Sequence, residues 1–230
     1  MPNMEPQAID IKVFQTILLT WFKEHGRWFP WRESGLSSYQ LLIAEILLQR
    51  TKAATVDKIF THFFNVYPNW KVIASAKLEE IENTLKPIGL HKQRAERLQK
   101  LAQKMNLNDS VLLSSRAELD AIPFIGQYIG NAVELLIQGK NKPLLDVNMA
   151  RVLERYFGHR KLKDLRYDKY LQALAHDIVD HPDSISLNWA ILDFAALVCQ
   201  SRVPKCSTCV LQQTCTYYLT VVEIKNFRNE

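Results

Sequence analysis

All four cysteines of the chain lie between positions 199 and 215, spaced Cys199-x6-Cys206-x2-Cys209-x5-Cys215. Four thiolates within 17 residues can enclose one metal centre, and the tight central pair is what a chelate needs. Cysteines crowded into one tract of an intracellular chain bind metal more often than they form a disulfide scaffold. A zinc site usually shows two tight knuckles, and only one pair is tight here. The outer gaps of six and five residues favour an object larger than one ion, with zinc as the alternative. Arg202 and Lys205 place positive charge inside the same loop.

At 230 residues the chain can bury a sizeable core, as one large domain or two small ones. Lys and Arg outnumber Asp and Glu by 29 to 24, and the pI is about 9.0, a balance that suits a polyanionic partner without proving one. The sequence has neither a run of about 18 apolar residues nor a charged-then-apolar leader, so the expectation is a soluble, unexported, intracellular protein with no membrane partner.

Strand-type alternation is absent, and the patterning predicts an all-α protein. Helices are expected over 9–23, stopped by Gly26, and over 39–51, capped by Ser37-Ser38. Others are expected over 53–67, 74–85 and 90–105, broken at Pro68 and at Pro87-Ile88-Gly89, and then over 127–138, 147–157, 168–180 and 185–198. In the second of these, positions 41–48 are apolar on every side except at Glu45. A helix apolar all round is buried, so Glu45 is expected to be buried with it. Such a carboxylate is costly unless it is paired, hydrogen-bonded or protonated. Both a structural partner and a functional role would explain it.

Only seven glycines occur in the chain, and Gly126, Gly130 and Gly139 fall in one stretch, from which unusual backbone is expected there. Pro123 ends one helix and Gly126 opens the next, giving helix, tight turn, helix. A helix start beside glycine presents free N–H groups that suit a phosphate. After Gly139 comes a basic loop, Lys140-Asn141-Lys142-Pro143, and then a lone carboxylate, Asp146, at the head of the next helix. On its residues alone, Asp146 reads first as an ordinary N-cap.

This hairpin, loop and aspartate together resemble the endonuclease III superfamily of DNA glycosylases. Phe29-Pro30-Trp31-Arg32 is similar to a segment of that family's mismatch-specific members. Positions 45–51, E-I-L-L-Q-R-T, resemble its E-x-x-L-Q-x-T signature, and the cysteine tract matches its 4Fe-4S loop at every gap. The likeness runs from about position 14 to 218. It implies a two-lobed helix-hairpin-helix fold: a six-helix barrel over 28–139, and a 4Fe-4S cluster lobe from 1–27 plus 140–230, with Cys199, Cys206, Cys209 and Cys215 as ligands. It places Glu45, Tyr128 and Asp146 in a DNA groove as catalytic residues. Leu90 matches a wedge residue and Gln49 a second plug, while Gly126 and Gln127 belong to the phosphate-gripping hairpin. One departure stands out: Phe124 replaces a glycine in Ile122-Pro123-Phe124-Ile125-Gly126, which implies a changed phosphate contact.

Family members with lysine at the position of Tyr128 attack the sugar through a Schiff base. Tyrosine cannot, so the resemblance implies a monofunctional glycosylase, acting as a monomer on mismatched double-stranded DNA. The I-G-L-H-K-Q-R-A loop and Arg50 within Gln49-Arg50-Thr51 are similar to the thymine-mismatch branch, which takes thymine or uracil opposite guanine. An adenine glycosylase acting opposite guanine or 8-oxoguanine is the alternative, and a mismatch-binding protein without catalysis is another.

Overall fold

The computed structural model describes residues 8–112, 114–122 and 125–222. Phe124, the residue that departs from the hairpin pattern, and Pro123 beside it lie outside the described residues. Among the described residues there are eleven α-helices and no strand, as the patterning predicts. By internal contacts the chain divides into two compact units: Trp28–Lys140, and the N-terminal helix together with the chain from Asn141 onward.

Within Trp28–Lys140 the first α-helix of the chain is absent; α1 (Ala8–His25) belongs to the other unit. Here α2 (Ser38–Leu48) opens with a capping box, in which Ser37 Oγ accepts from the Gln40 amide and Gln40 Oε1 accepts from the Ser37 amide. It packs on α3 (Ala53–Val66) and on α8 (Gln127–Leu136). The stretch read as one helix over 74–85 is two. Asn69 caps a short α4 (Trp70–Ser75), the chain runs extended at Ala76 and Lys77, and α5 (Leu78–Leu85) follows. Tertiary contacts override the local pattern here: the buried Trp70 anchors α4, and the Ala76 carbonyl accepts from Gln99 Nε2 at 2.7 Å rather than continuing a helix. Gln99 lies on α6 (His91–Leu112), which packs against both α4 and α5. Leu42, Ile43, Phe63, Ile73, Ile81 and Leu85 are among the side chains that fill this core.

The short α7 (Arg116–Asp120) leads to α8. Arg116 crosses onto α8, donating to Asn131 Oδ1 at 3.0 Å and Glu134 Oε2 at 2.8 Å, and also holds Asp120 at 2.9 Å. A Cβ on Gly130 would sit 2.8 Å from the Arg116 guanidinium carbon, so any larger residue there would make the Arg116 side chain shift, while the backbone itself is ordinary. The expectation of unusual backbone at all three glycines is therefore corrected. Of Gly126, Gly130 and Gly139, only Gly139 has positive φ, at 67°. At Gly126, φ is −91° and an added Cβ would meet nothing within 4 Å, so neither backbone nor packing demands glycine there.

In the second unit α1 packs on α11 (Ser184–Leu197), and α9 (Val147–Phe157) packs on α11 and α10 (Lys169–Val179). Phe14, Leu18, Met149, Leu153 and Phe194 lie in this core. Just past the end of α1, Arg27 donates through its backbone amide, Nε and Nη2 to the fully buried carboxylate of Asp193 on α11. Beneath the loop before α9, buried Asn188 accepts from the Leu144 amide at 2.7 Å and donates to Lys142 O at 3.2 Å. That fixes the approach of the chain to Asp146. Among the described residues no helix is long and apolar enough to cross a membrane.

Candidate active site

Glu45 sits in the interior of α2 and is only 4% exposed, as the all-apolar surroundings require. Tyr128, in the first turn of α8, donates its hydroxyl to Glu45 Oε2 at 2.9 Å. These residues are 83 positions apart, and the packing of α2 on α8 brings them together. A buried carboxylate beside a phenol can accept a hydrogen bond or pass a proton, depending on what stands next to it.

Asp146 is the N-cap of α9. Its Oδ1 accepts from the amides of Asn148 and Met149, both at 2.8 Å, and its Oδ2 accepts from Asn148 Nδ2 at 2.6 Å. The ordinary capping role is thus real, and it leaves a partly exposed carboxylate held in one orientation. Asn148 is itself oriented, since its Oδ1 accepts from both terminal nitrogens of Arg151 at 3.2 Å. Arg151 in turn donates from Nε to Cys199 O at 2.9 Å and from Nη2 to Ala195 O at 3.0 Å. Burial pushes the Arg151 guanidinium down from its ordinary value, with Arg155 acting in the same direction and Cys199 and Asp146 opposing.

The four cysteines line one solvent-open pocket, whose walls include Val152, Phe194, Val198 and Leu211. Among the described residues no group of three or more His, Cys, Asp or Glu side chains is placed to hold a single metal ion. Burial pushes the Cys209 thiol up to about 11, and burial together with the neighbouring thiols also raises Cys206 and Cys215. Without positive charge at its centre, this cavity favours protonated sulfur. Arg155 and Lys205 both line it, and Arg155 contacts a thiol directly: its Nη1 lies 3.3 Å from Cys199 Sγ, and its guanidinium stacks on Tyr217. The chemistry of the donor set, four thiols lining one pocket, fits an iron–sulfur cluster.

Gln49, Arg50 and Leu90 line one cleft, together with Gln93, Arg94 and Arg97 above an apolar floor that includes Leu85 and Leu98. The helix expected over 39–51 ends at Leu48, because the chain turns sharply there. Arg50 has φ 57° and Leu90 has φ 52°, the two non-glycine residues with positive φ among the described residues. Such backbone costs about 1–2 kcal/mol per residue and persists where surrounding contacts impose it. Leu90 is 56% exposed, so its side chain is not part of the core. Gly126, the exposed N-cap of α8, has no side-chain cap, and Gln127 follows it as the first helical residue.

Sequence reasoning missed Arg94, Arg116, Asn148, Arg151 and Arg155, whose roles depend on partners distant in the chain or on rotamers. Only Asn148 carried a local signal, lying two residues after a candidate N-cap aspartate.

Comparison with known proteins supplies the lineage. The model of the HhH-GPD superfamily of base excision DNA repair proteins matches residues 43–175. A thymine/uracil-DNA glycosylase of Methanothermobacter thermautotrophicus is 39% identical over 90% of this chain and 94% of its own length. Another from Pyrobaculum aerophilum is 33% identical over 94% and 96%. An adenine DNA glycosylase of Mus musculus is 29% identical, and this chain spans 43% of its length. Among solved structures, a thermostable thymine-DNA glycosylase superposes with a TM-score of 0.83 at 36% identity, covering 92% of this chain and 97% of that one. Endonuclease III, at 22% identity and a TM-score of 0.77, shares the fold. The chain belongs to the HhH-GPD superfamily of base excision DNA repair proteins.

Proposed function

We propose that the protein is a monofunctional DNA glycosylase that hydrolyses the N-glycosidic bond of thymine or uracil opposite guanine and leaves an abasic site. The observation that carries the reading is the Tyr128–Glu45 pair, set in a chain that matches thymine/uracil-DNA glycosylases over nearly its whole length. Tyrosine has no amine with which to attack C1′, so water is the nucleophile.

The target nucleotide must leave the stack before its glycosidic bond can be reached. Gln49 and Leu90 enter the space it vacates, Arg50 contacts the DNA beside them, and the helix start at Gly126 and Gln127 holds a backbone phosphate. As the bond from C1′ to the base nitrogen breaks, Asp146 stabilises positive charge on the sugar. The base departs with a hydrogen bond or proton from the Glu45–Tyr128 pair. Water adds its oxygen to C1′ and yields a proton to Asp146. Cys199, Cys206, Cys209 and Cys215 hold a 4Fe-4S cluster whose part is structural: it pins the loop that exposes Arg202 and Lys205. The protein acts on mismatched duplex DNA as a monomer.

The test is base release across duplexes containing G·T, G·U, A·G and A·8-oxoG. Release from G·T and G·U is expected to be fastest; faster release from A·8-oxoG would establish the adenine reading instead. Borohydride is expected to trap no covalent complex with the wild type, because no imine forms. Tyr128→Phe removes one donor from a buried carboxylate that stays in place, and release is expected to fall roughly 10-fold, the equivalent of one modest hydrogen bond. An unchanged rate would remove Tyr128 from the chemistry.

A further inference from the structure

The two loops assigned to entering the DNA stack are joined by a residue that neither the sequence nor the family comparison singles out. Arg94 lies in the first turn of α6, and its backbone amide donates to Leu90 O at 3.0 Å, closing the turn that Leu90 begins. Its side chain reaches back to the end of α2. Nη2 donates to Gln49 O at 2.5 Å and Thr51 Oγ1 at 2.8 Å, and Nη1 to Leu47 O at 3.3 Å and Ile46 O at 3.4 Å. One guanidinium therefore collects the carbonyls that the end of a helix leaves open, and does so from the residue that follows Leu90 by four positions.

A simple stabilising cap would not be built this way. Arg94 Nε is buried and has no hydrogen-bond partner. Burial and the like charges of Arg50 and Arg97 hold its guanidinium below the ordinary value. Both strained non-glycine residues, Arg50 and Leu90, flank the same group. Strain in two adjacent loops, kept by one charged group placed at electrostatic cost, is the pattern of a preorganised tool.

We propose that Arg94 is a positioning residue: it ties the Gln49–Arg50 turn to the Leu90 turn, so that plug and wedge are preformed at a fixed spacing before DNA arrives. The proposal rests on the reading that Gln49 and Leu90 enter the stack.

The test compares uracil release from a G·U duplex with release from the same strand carrying its uracil in an unpaired bubble, which needs no wedge. Arg94→Met is expected to slow the duplex reaction about 30-fold and the bubble reaction by less than about 3-fold, because fixed geometry counts only where the stack must be opened. Arg94→Lys is expected to restore part of the loss, since one ammonium can still reach Gln49 O but cannot fork to Thr51. Leu90→Ala and the Leu90→Ala/Arg94→Met double variant should be about equally slow on duplex, the non-additivity expected of residues acting as one unit. If Arg94→Met does not fold, Thr51→Val removes one acceptor without touching the charge, and a several-fold loss confined to duplex is expected.

Equal loss on both substrates would show that Arg94 is merely structural and overturn the proposal. A slow Leu90→Ala beside an unimpaired Arg94→Met would overturn it while leaving the wedge intact. A Leu90→Ala variant at wild-type rate on duplex would remove the wedge itself, and the proposal with it.

Discussion

Asp146→Asn is expected to lower base release by at least about 100-fold, the scale on which one preorganised electrostatic group acts in a transition state. It should leave the fold and the affinity for mismatched DNA in place. The structure makes this the cleanest substitution at the site. Asp146 caps α9 by accepting from two backbone amides through Oδ1, and an asparagine carbonyl serves as a cap about as well. What changes is the other arm, where Oδ2 accepts from Asn148 Nδ2 at 2.6 Å. An amide nitrogen there would face another amide nitrogen, and Asn148 cannot flip freely because Arg151 holds its Oδ1. Asp146→Ala would confuse the result, since losing the cap costs about 1 kcal/mol and roughly 2–4 °C in melting temperature. Thermal melting, mismatch binding and abasic-site formation, measured on the same Asp146→Asn preparation, separate the roles. A wild-type rate of release would confine Asp146 to capping. A wild-type protein that makes no abasic sites with any mispair would be a mismatch binder.

Asp146, Glu45 and the cysteines were legible in the sequence because each breaks a local pattern: a carboxylate before an apolar-periodic helix, a charge in an all-apolar helix, thiols in a short tract. Helix 147–157 could be read to the residue because a strong cap at Asp146 and a glycine at 158 bound it. The helix over 39–51 was read three residues too long, since what ends it is a side chain 45 positions beyond Gln49, and no local signal announces Arg94. Ala76 and Lys77 likewise carry good helical propensity, yet the chain is extended there, where the Ala76 carbonyl accepts from Gln99 on another helix. At Gly130 the conformation is ordinary, and what crowds the position is the Arg116 side chain crossing from another helix, which no local signal announces. The long arginine side chains do most of the unread work. Their spacing in sequence follows no period, because each reaches across elements to carbonyls and carboxylates that only the fold assembles.

Loss of the proposed cluster should do the widest structural damage of any single change, and Cys209→Ser tests it. The segment from Cys199 to Cys215 has little core of its own: among its described residues only Leu211 is buried, and its helical pieces are single turns. It is fastened to the C-terminal half of α9 at both ends. Arg155 holds the carbonyls of Gln200 and Ser201, Tyr156 donates to Thr214, and Thr216 donates to the Tyr156 carbonyl. Cys206, Cys209 and Cys215, whose thiols burial and mutual repulsion push up, give no reason for the chain to stay closed around them unless a cationic centre replaces their protons. Cys209→Ser is therefore expected to abolish visible iron–sulfur absorption and to cost at least about 4 kcal/mol, a fall of roughly 10 °C or more in melting temperature for a chain of this size. Because Arg151 rests on Cys199 O and orients Asn148 against Asp146, base release should fail at temperatures where the helices, followed by circular dichroism, are still intact. A colourless wild type carrying one zinc ion per chain would replace the cluster with a zinc knuckle. A Cys209→Ser variant that melts with the wild type would show that the loop holds itself closed without any metal at all.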